Sequence, residues 1–225
     1  MGIVKLDNIS KDYGRVLALD QVSMDIQKGE WVSIMGPSGS GKSTFLNMVG
    51  CMDQPTTGAV WIDGIETSSL TNNQLTELRS EKIGLVFQQF HLIPYLNAVE
   101  NVMLAQYYHS LTDEREAFEA LERVGLKERA NHLPSQLSGG EQQRVCIARA
   151  IINYPAIILA DEPTGNLDEK NERIVTELFQ ELHQQGHTII IVTHSPTIGR
   201  LAQRQIQLVH GKLSETDRYK MTSVK

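Results

Sequence analysis

Runs of consecutive apolar residues punctuate the chain. "EWVSIMG" (30–36), "KIGLVFQ" (82–88), "PAIILADE" (155–162) and "HTIIIVTH" (187–194) are apolar nearly throughout, and each ends in a polar residue or glycine. Strands covered on both faces read this way, so the four runs predict a mostly parallel sheet. Helical periodicity begins at "KSTFLNMVG", at "EQQRVCIARAIIN" and at "EKNERIVTELFQELHQQG", the last closed by Gly186. Strands alternating with helices predict an α/β fold. The amino-terminal segments "IVKLDNISKDY", "ALDQVSMDIQKG" and "GAVWIDGI" carry short strand patterns with turn signals, which suit an antiparallel β part beside the parallel sheet. Between Gln89 and about Tyr154 no strand pattern occurs, whereas "NAVENVMLAQYYHS" and "DEREAFEALERVG" read as helices. The expected organisation is one domain: an α/β core from 1–88 and 155–213, a helical subdomain inserted at 89–154, and a polar tail at 214–225.

Composition narrows the function more than the fold. A chain of 225 residues with net charge −6, and with Lys and Arg scattered, offers no basic stripe for nucleic acid. Its longest apolar stretches fall far short of the ~20 residues that span a bilayer, and "MGIVKLDNIS" has no signal-peptide core, so a cytosolic location is expected. Cys51 and Cys146 stand apart in apolar surroundings, which favours packing over disulfide or metal chemistry.

The chemistry concentrates at strand ends. "GPSGSGKST", Gly36 to Thr44, matches the phosphate-loop pattern between a predicted strand and a predicted helix. Gly36, Gly39 and Gly41 would let the loop backbone, with Ser38 and Ser40, wrap phosphates, and Thr44 completes the pattern. Lys42 would neutralise β and γ oxygens, and the Ser43 hydroxyl would ligate Mg²⁺. "AIILADEP" ends a strand in two acids at the carboxyl edge, where open α/β sheets bind ligands. Because neighbours on a strand point opposite ways, Asp161 is the metal candidate and Glu162 the general base; a solvated acidic turn before Pro163 is the bland alternative. Gln88 and His194 also end strands. Gln88 could reach Mg²⁺ or the attacking water, and His194 that water or the γ-phosphate.

"LSGGEQQR" (137–144) opens a helix with a glycine pair. Ser138 and Glu141 form a capping box, while Gly139 and Gly140 leave amides open at the positive helix end. It reads as a second anion site without a lysine.

A phosphate loop, "LSGGEQQR", "ILADEP", a strand-end Gln and a strand-end His, in this order, resemble the nucleotide-binding subunit of ABC transporters over roughly residues 3–213. "GLVFQQFHLIP", "ANHLPSQLSGGEQQRVCIARA" and "ADEPTGNLD" look most like the lipoprotein-release, macrolide-export and cell-division ATPase group. The resemblance implies a phosphate-loop NTPase core, RecA-like, with ATP and Mg²⁺ as ligands. It implies that Tyr13 stacks on adenine, although an ordinary strand-end aromatic reads the same. It also implies that Asn166 to Asp168 lie along an interface with a second copy of the chain, and that two copies pair head to tail, Ser138 and Gly140 of one holding the γ-phosphate bound by the other. A separate permease would dock near Phe90, Leu92, Tyr95 and Leu96, for which core packing is the alternative, placing the chain on the cytoplasmic face of the inner membrane. Ser195 departs from the group, where an acid commonly follows the histidine. Two other functions compete. A soluble ABC ATPase of nucleic-acid repair or translation would carry a second nucleotide domain or a long insertion, and a small-molecule kinase would leave "LSGGEQQR" unexplained.

Overall fold

The computed structural model describes residues 2–107, 109 and 111–216. Strands β1 (Val4–Asp12) and β2 (Leu17–Ile26) form an antiparallel hairpin. The chain then crosses into a second sheet through β3 (Trp31–Met35), turns through the phosphate loop and enters helix α1 (Lys42–Val49). Strand β4 (Thr57–Ile62) returns to pair antiparallel with β1, and β5 (Ile65–Glu66) completes a four-stranded sheet of order β2-β1-β4-β5. Helix α2 (Asn72–Lys82), capped by a Thr71–Gln74 box, leads into β6 (Ile83–Val86). Three helices follow: α3 (Ala98–Tyr107), α4 (Glu114–Arg123) and α5 (Gly139–Ile151). The chain re-enters the sheet through β7 (Ile157–Asp161), and α6 (Glu169–Gln184) carries it to β8 (Thr188–Val192). The short α7 (Pro196–Gly199), β9 (Arg204–Val209) and β10 (Lys212–Thr216) complete the described chain.

The second sheet has the order β10-β9-β3-β8-β7-β6, parallel throughout except for β10 at the edge. Strands β3, β6, β7 and β8 are nearly continuous apolar runs because successive side chains enter two different cores. Trp31, Ile158, Ala160, Ile189 and Ile191 face one side, against Ile147 and Ala148 of α5 and Val175 and Phe179 of α6. Val32, Ile34, Leu159, Ile190 and Val192 face the other, against Phe45 and Met48 of α1 and Leu6 and Ile26 of the hairpin. The α/β class, the antiparallel amino-terminal part and the three helices between β6 and β7 match the expected pattern.

Helix α2, the short α7 and strands β9 and β10 went unread in the sequence. Helix α2 buries only Leu75 and Leu78 among polar neighbours, too few to mark a period. Strand β9 buries only Ile206 and Leu208, and lies beside β3 at the open side of the sheet. Residues 214–216, expected to begin the polar tail, instead continue β10 along β9, where backbone pairing holds a strand with no apolar run of its own. The rest of that tail, 217–225, lies outside the described residues. No helix among the described residues is long and apolar enough to cross a membrane.

Candidate functional site

Because β3, β6, β7 and β8 are parallel, their carboxyl ends deliver the phosphate loop, Gln88, the acid pair and His194 to one edge of the sheet. A cleft of about 580 Å³ opens there, and its walls include Ser38, Gly39, Gly41, Lys42, Ser43, Thr44, Gln88, Asp161 and Glu162. The phosphate loop is held in shape by close backbone approaches. Gly41 caps α1 at φ 104°, and a Cβ there would stand 2.3 Å from the Ala18 carbonyl oxygen. A Cβ on Gly36 would meet the Leu208 carbonyl oxygen at 2.1 Å. Gly39 also has a positive φ, 75°, but faces open space. The Ser40 side chain is buried, its Oγ without a hydrogen-bond partner among the described residues, while its carbonyl accepts from the Gly211 N–H at 3.0 Å. Lys42 Nζ donates to the carbonyls of Gly36 and Pro37 at 2.8 and 2.9 Å, so the ammonium already sits over the loop that would cradle phosphates.

Asp161 ends β7, and burial, with the neighbouring Glu162 charge, pushes its carboxyl above the usual range, against the pull of Lys42. The half-buried Asp161 carboxylate, which lines the same cleft as Ser43, fits a Mg²⁺ ion, which takes one or two protein carboxylates and completes its shell with water and phosphate oxygens. Glu162 does not continue the strand. It takes a left-handed backbone, φ 44°, with its N–H donating to the Val192 carbonyl at 2.8 Å. The two acids are therefore separated by a turn rather than by strand pleating, at a non-glycine position that is costly to hold. His194 Nδ1 lies 2.8 Å from Glu162 Oε1, and the His194 N–H donates to Oε2 at 3.1 Å, so residue 194 meets both oxygens of the carboxylate. Gln88 exchanges contacts with Asn166: its Nε2 donates to Asn166 Oδ1 at 3.5 Å, and its carbonyl accepts from Asn166 Nδ2 at 3.3 Å.

The remaining sequence candidates lie outside the cleft walls. Tyr13 is 54% exposed and donates its hydroxyl to Asp53 Oδ2 at 2.9 Å. Ser138 caps α5: its Oγ accepts from the Glu141 N–H at 3.3 Å, and Glu141 Oε2 accepts from the Ser138 N–H at 2.8 Å. Gly139 is exposed. Gly140 is buried, and a Cβ there would fall 2.0 Å from Asn171 Oδ1, so packing by its own chain already requires this glycine. Asp168 caps α6 by accepting from the Asn171 N–H at 2.8 Å, and its carboxyl lies below the usual range because of the Asn171 bonds. Ser195 donates to Glu172 Oε1 at 3.3 Å. Tyr95 is 78% exposed, whereas Phe90, Leu92 and Leu96 are half-buried and Leu92 packs on the helical core. Val16, Leu17, Ala18, His210 and Gly211 also line the cleft, and no motif marks them in the sequence. Two of them come from the β9–β10 turn, whose place beside the phosphate loop depends on the unread strand β9.

A family model described as ABC transporter matches residues 19–165. The chain belongs to the ABC transporter family. It is 47% identical to the ABC transporter ATP-binding protein MJ0796 of Methanocaldococcus jannaschii, over 96% of this chain and 97% of that one. It is 44% identical to the macrolide export ATP-binding/permease protein MacB of Aggregatibacter actinomycetemcomitans, with 99% of this chain matching 36% of that longer protein. The dimeric structure of a post-hydrolysis state of the ATP-binding cassette MJ0796, bound to ADP and phosphate, has a TM-score of 0.89 at 45% identity, covering 97% of this chain and 100% of that one. These matches favour the transporter cassette over the soluble repair or translation ATPase, and the chain is an ABC ATPase.

Proposed function

We propose that two copies of this chain close head to tail around two ATP molecules and drive a separate integral-membrane permease from the cytoplasmic face of the inner membrane. One observation carries the reading. The cleft gathers Lys42, Ser43, Gln88, Asp161 and Glu162, while Ser138, Gly139 and Gly140, the other anion-binding sequence, are absent from its walls. A signature that does not face its own nucleotide is free to face another's. The dimeric MJ0796 cassette and the permease segment in the name of MacB support the two partners.

In this reading Tyr13 stacks on adenine, and the loop from Gly36 to Thr44 wraps the phosphates, whose oxygens replace the Gly36 and Pro37 carbonyls as acceptors for Lys42. Ser43, Asp161 and Gln88 would hold Mg²⁺, which would supply positive charge against the phosphates. Glu162 takes a proton from the attacking water as its oxygen bonds to the γ-phosphorus and the bond to the β–γ bridging oxygen breaks, releasing ADP and phosphate. His194 keeps the carboxylate aimed; the second lone pair on each Glu162 oxygen remains available to the water. Ser138 and Gly140 of the second copy grip the γ-phosphate until hydrolysis removes it, and Asp168 lies along the same seam. The permease docks at the segment bearing Phe90, Leu92, Tyr95 and Leu96, which follows Gln88 directly and so links cargo movement to the nucleotide.

Glu162→Gln tests the chemistry. It should keep ATP affinity, lose at least about a hundredfold in kcat, and elute as a dimer in size exclusion when ATP is present. Hydrolysis at the parental rate would remove Glu162 from the role of base.

A further inference from the structure

Tyr13 is tied to the phosphate-loop helix by a second residue that neither motif contains. Helix α1 ends at Val49, and the segment after it folds back so that the Met52 N–H donates to the Asn47 carbonyl at 2.9 Å. This return presents Asp53 to the tip of the β1–β2 hairpin. Asp53 Oδ2 accepts the Tyr13 hydroxyl at 2.9 Å. Asp53 Oδ1 accepts Lys11 Nζ at 2.7 Å and the Gln54 N–H at 2.7 Å. Lys11 Nζ also donates to the Gln54 carbonyl at 2.7 Å and stands 5.0 Å from the centre of the Tyr13 ring. The Asp12 N–H adds a 3.0 Å bond to Thr56 Oγ1, so the hairpin tip and the segment after α1 are laced at several points. Tyr13 follows β1 in the loop of the antiparallel hairpin, and the phosphate loop follows β3 of the parallel sheet. The packing of Leu6 and Ile26 on Phe45 and Met48 joins the two parts through the core, and this lacing fixes the ring itself at the hairpin tip.

We propose that Asp53 is a positioning residue of the nucleotide site: its carboxylate anchors the Tyr13 hydroxyl and so holds the ring where the purine of a phosphate-bound nucleotide stacks, with Lys11 fixing the carboxylate in turn. This rests on the reading of Tyr13 as the base platform and names what aims it. Lys11 on the ring also brings a cation–π contact, so the aromatic face is both clamped and polarised.

The test measures affinity for ATP and for inorganic tripolyphosphate by calorimetry, in the full chain carrying Asp53→Ala, Tyr13→Phe, both together, or Tyr13→Ala. Tyr13→Phe keeps the ring and removes only the donor. Each of the first two should weaken ATP binding about three- to tenfold, the scale of immobilising one freed side chain on binding. The double variant should be no weaker than Asp53→Ala alone, because that variant has already lost the acceptor of the hydroxyl bond. Tripolyphosphate, which has no base, should bind every variant as it binds the parent. Parental ATP affinity in Asp53→Ala and Tyr13→Phe, with Tyr13→Ala weakened, would overturn the role of Asp53 and leave the base platform standing. Parental ATP affinity in Tyr13→Ala would overturn the platform itself. Equal loss of ATP and tripolyphosphate binding, or additive losses in the double variant, would show Asp53 acting on the fold as a whole and would also overturn the proposal.

Discussion

Replacing Gly41 by alanine measures how tightly the phosphate loop is built against β2. The residue sits at φ 104°, outside the range an L side chain takes easily, which costs about 1–2 kcal/mol. Its new Cβ would stand 2.3 Å from the Ala18 carbonyl oxygen and 3.2 Å from Leu19 Cδ2, and the first of these is backbone that cannot swing aside. Forcing that contact apart costs about 1–3 kcal/mol more, as overpacking does elsewhere. The stiffer unfolded chain returns about 0.4–1 kcal/mol. The net loss should be about 1–4.5 kcal/mol, which at an m-value of about 2 kcal/mol per M lowers the urea midpoint by roughly 0.5–2 M. Gly39→Ala is the control. It shares the positive φ, 75°, but meets nothing within 4 Å, so it should lose only about 0.5–1 kcal/mol. Equal midpoints for the two variants, measured by urea titration of circular dichroism without nucleotide, would refute the close approach to Ala18 as the reason for glycine at position 41.

Two further outcomes follow from buried titratable groups. Burial, with the nearby Arg123 charge, holds the His187 imidazole below its usual value, against a bond with the Pro155 backbone. The unfolded state therefore takes up a proton first, and the stability His187 contributes above about pH 6.5 is lost as pH falls through its folded value. His187→Gln should flatten the decline of Tm between about pH 7 and pH 5; an unchanged slope contradicts the assignment. Burial raises the Cys51 and Cys146 thiols to about 11, so a thiol reagent at about pH 8 should label neither in the native chain and both in denaturant. Rapid native labelling of either would contradict their burial.

The parallel sheet was legible because its strands are covered on both faces, which leaves continuous apolar runs such as "AIILA" and "TIIIV". The phosphate loop and acid pair were legible for a related reason: their chemistry needs particular residues at fixed spacing beside a strand. What stayed hidden depends on partners distant in the chain. Gly140 reads as an open amide until Asn171, on another helix, is seen packed against it. Glu162 reads as the next residue of a strand, whereas its left-handed backbone follows from the bond to Val192 in the neighbouring strand. His210 and Gly211 reach the cleft through β9, which carries too few apolar residues to announce itself. Asp53 looks like an ordinary loop acid, and only the return of the chain after α1 brings it to Tyr13.

Head-to-tail action is tested most directly by mixing two damaged chains. Lys42→Ala removes the charge on the phosphates, and Ser138→Arg blocks the signature with a bulky side chain at an exposed cap position. Each homodimer should be inactive. In a mixed dimer the intact loop of one chain meets the intact signature of the other, making one complete site beside one doubly damaged site. With random pairing and independent sites, ATPase should recover to about a quarter of the parental rate. A covalently linked dimer of parent and Lys42→Ala chains, which also keeps one complete site, establishes whether a single site can fire. If that linked dimer hydrolyses ATP while the mixture, shown to contain mixed dimers, stays silent, then the signature does not serve the partner's nucleotide and the central claim is contradicted.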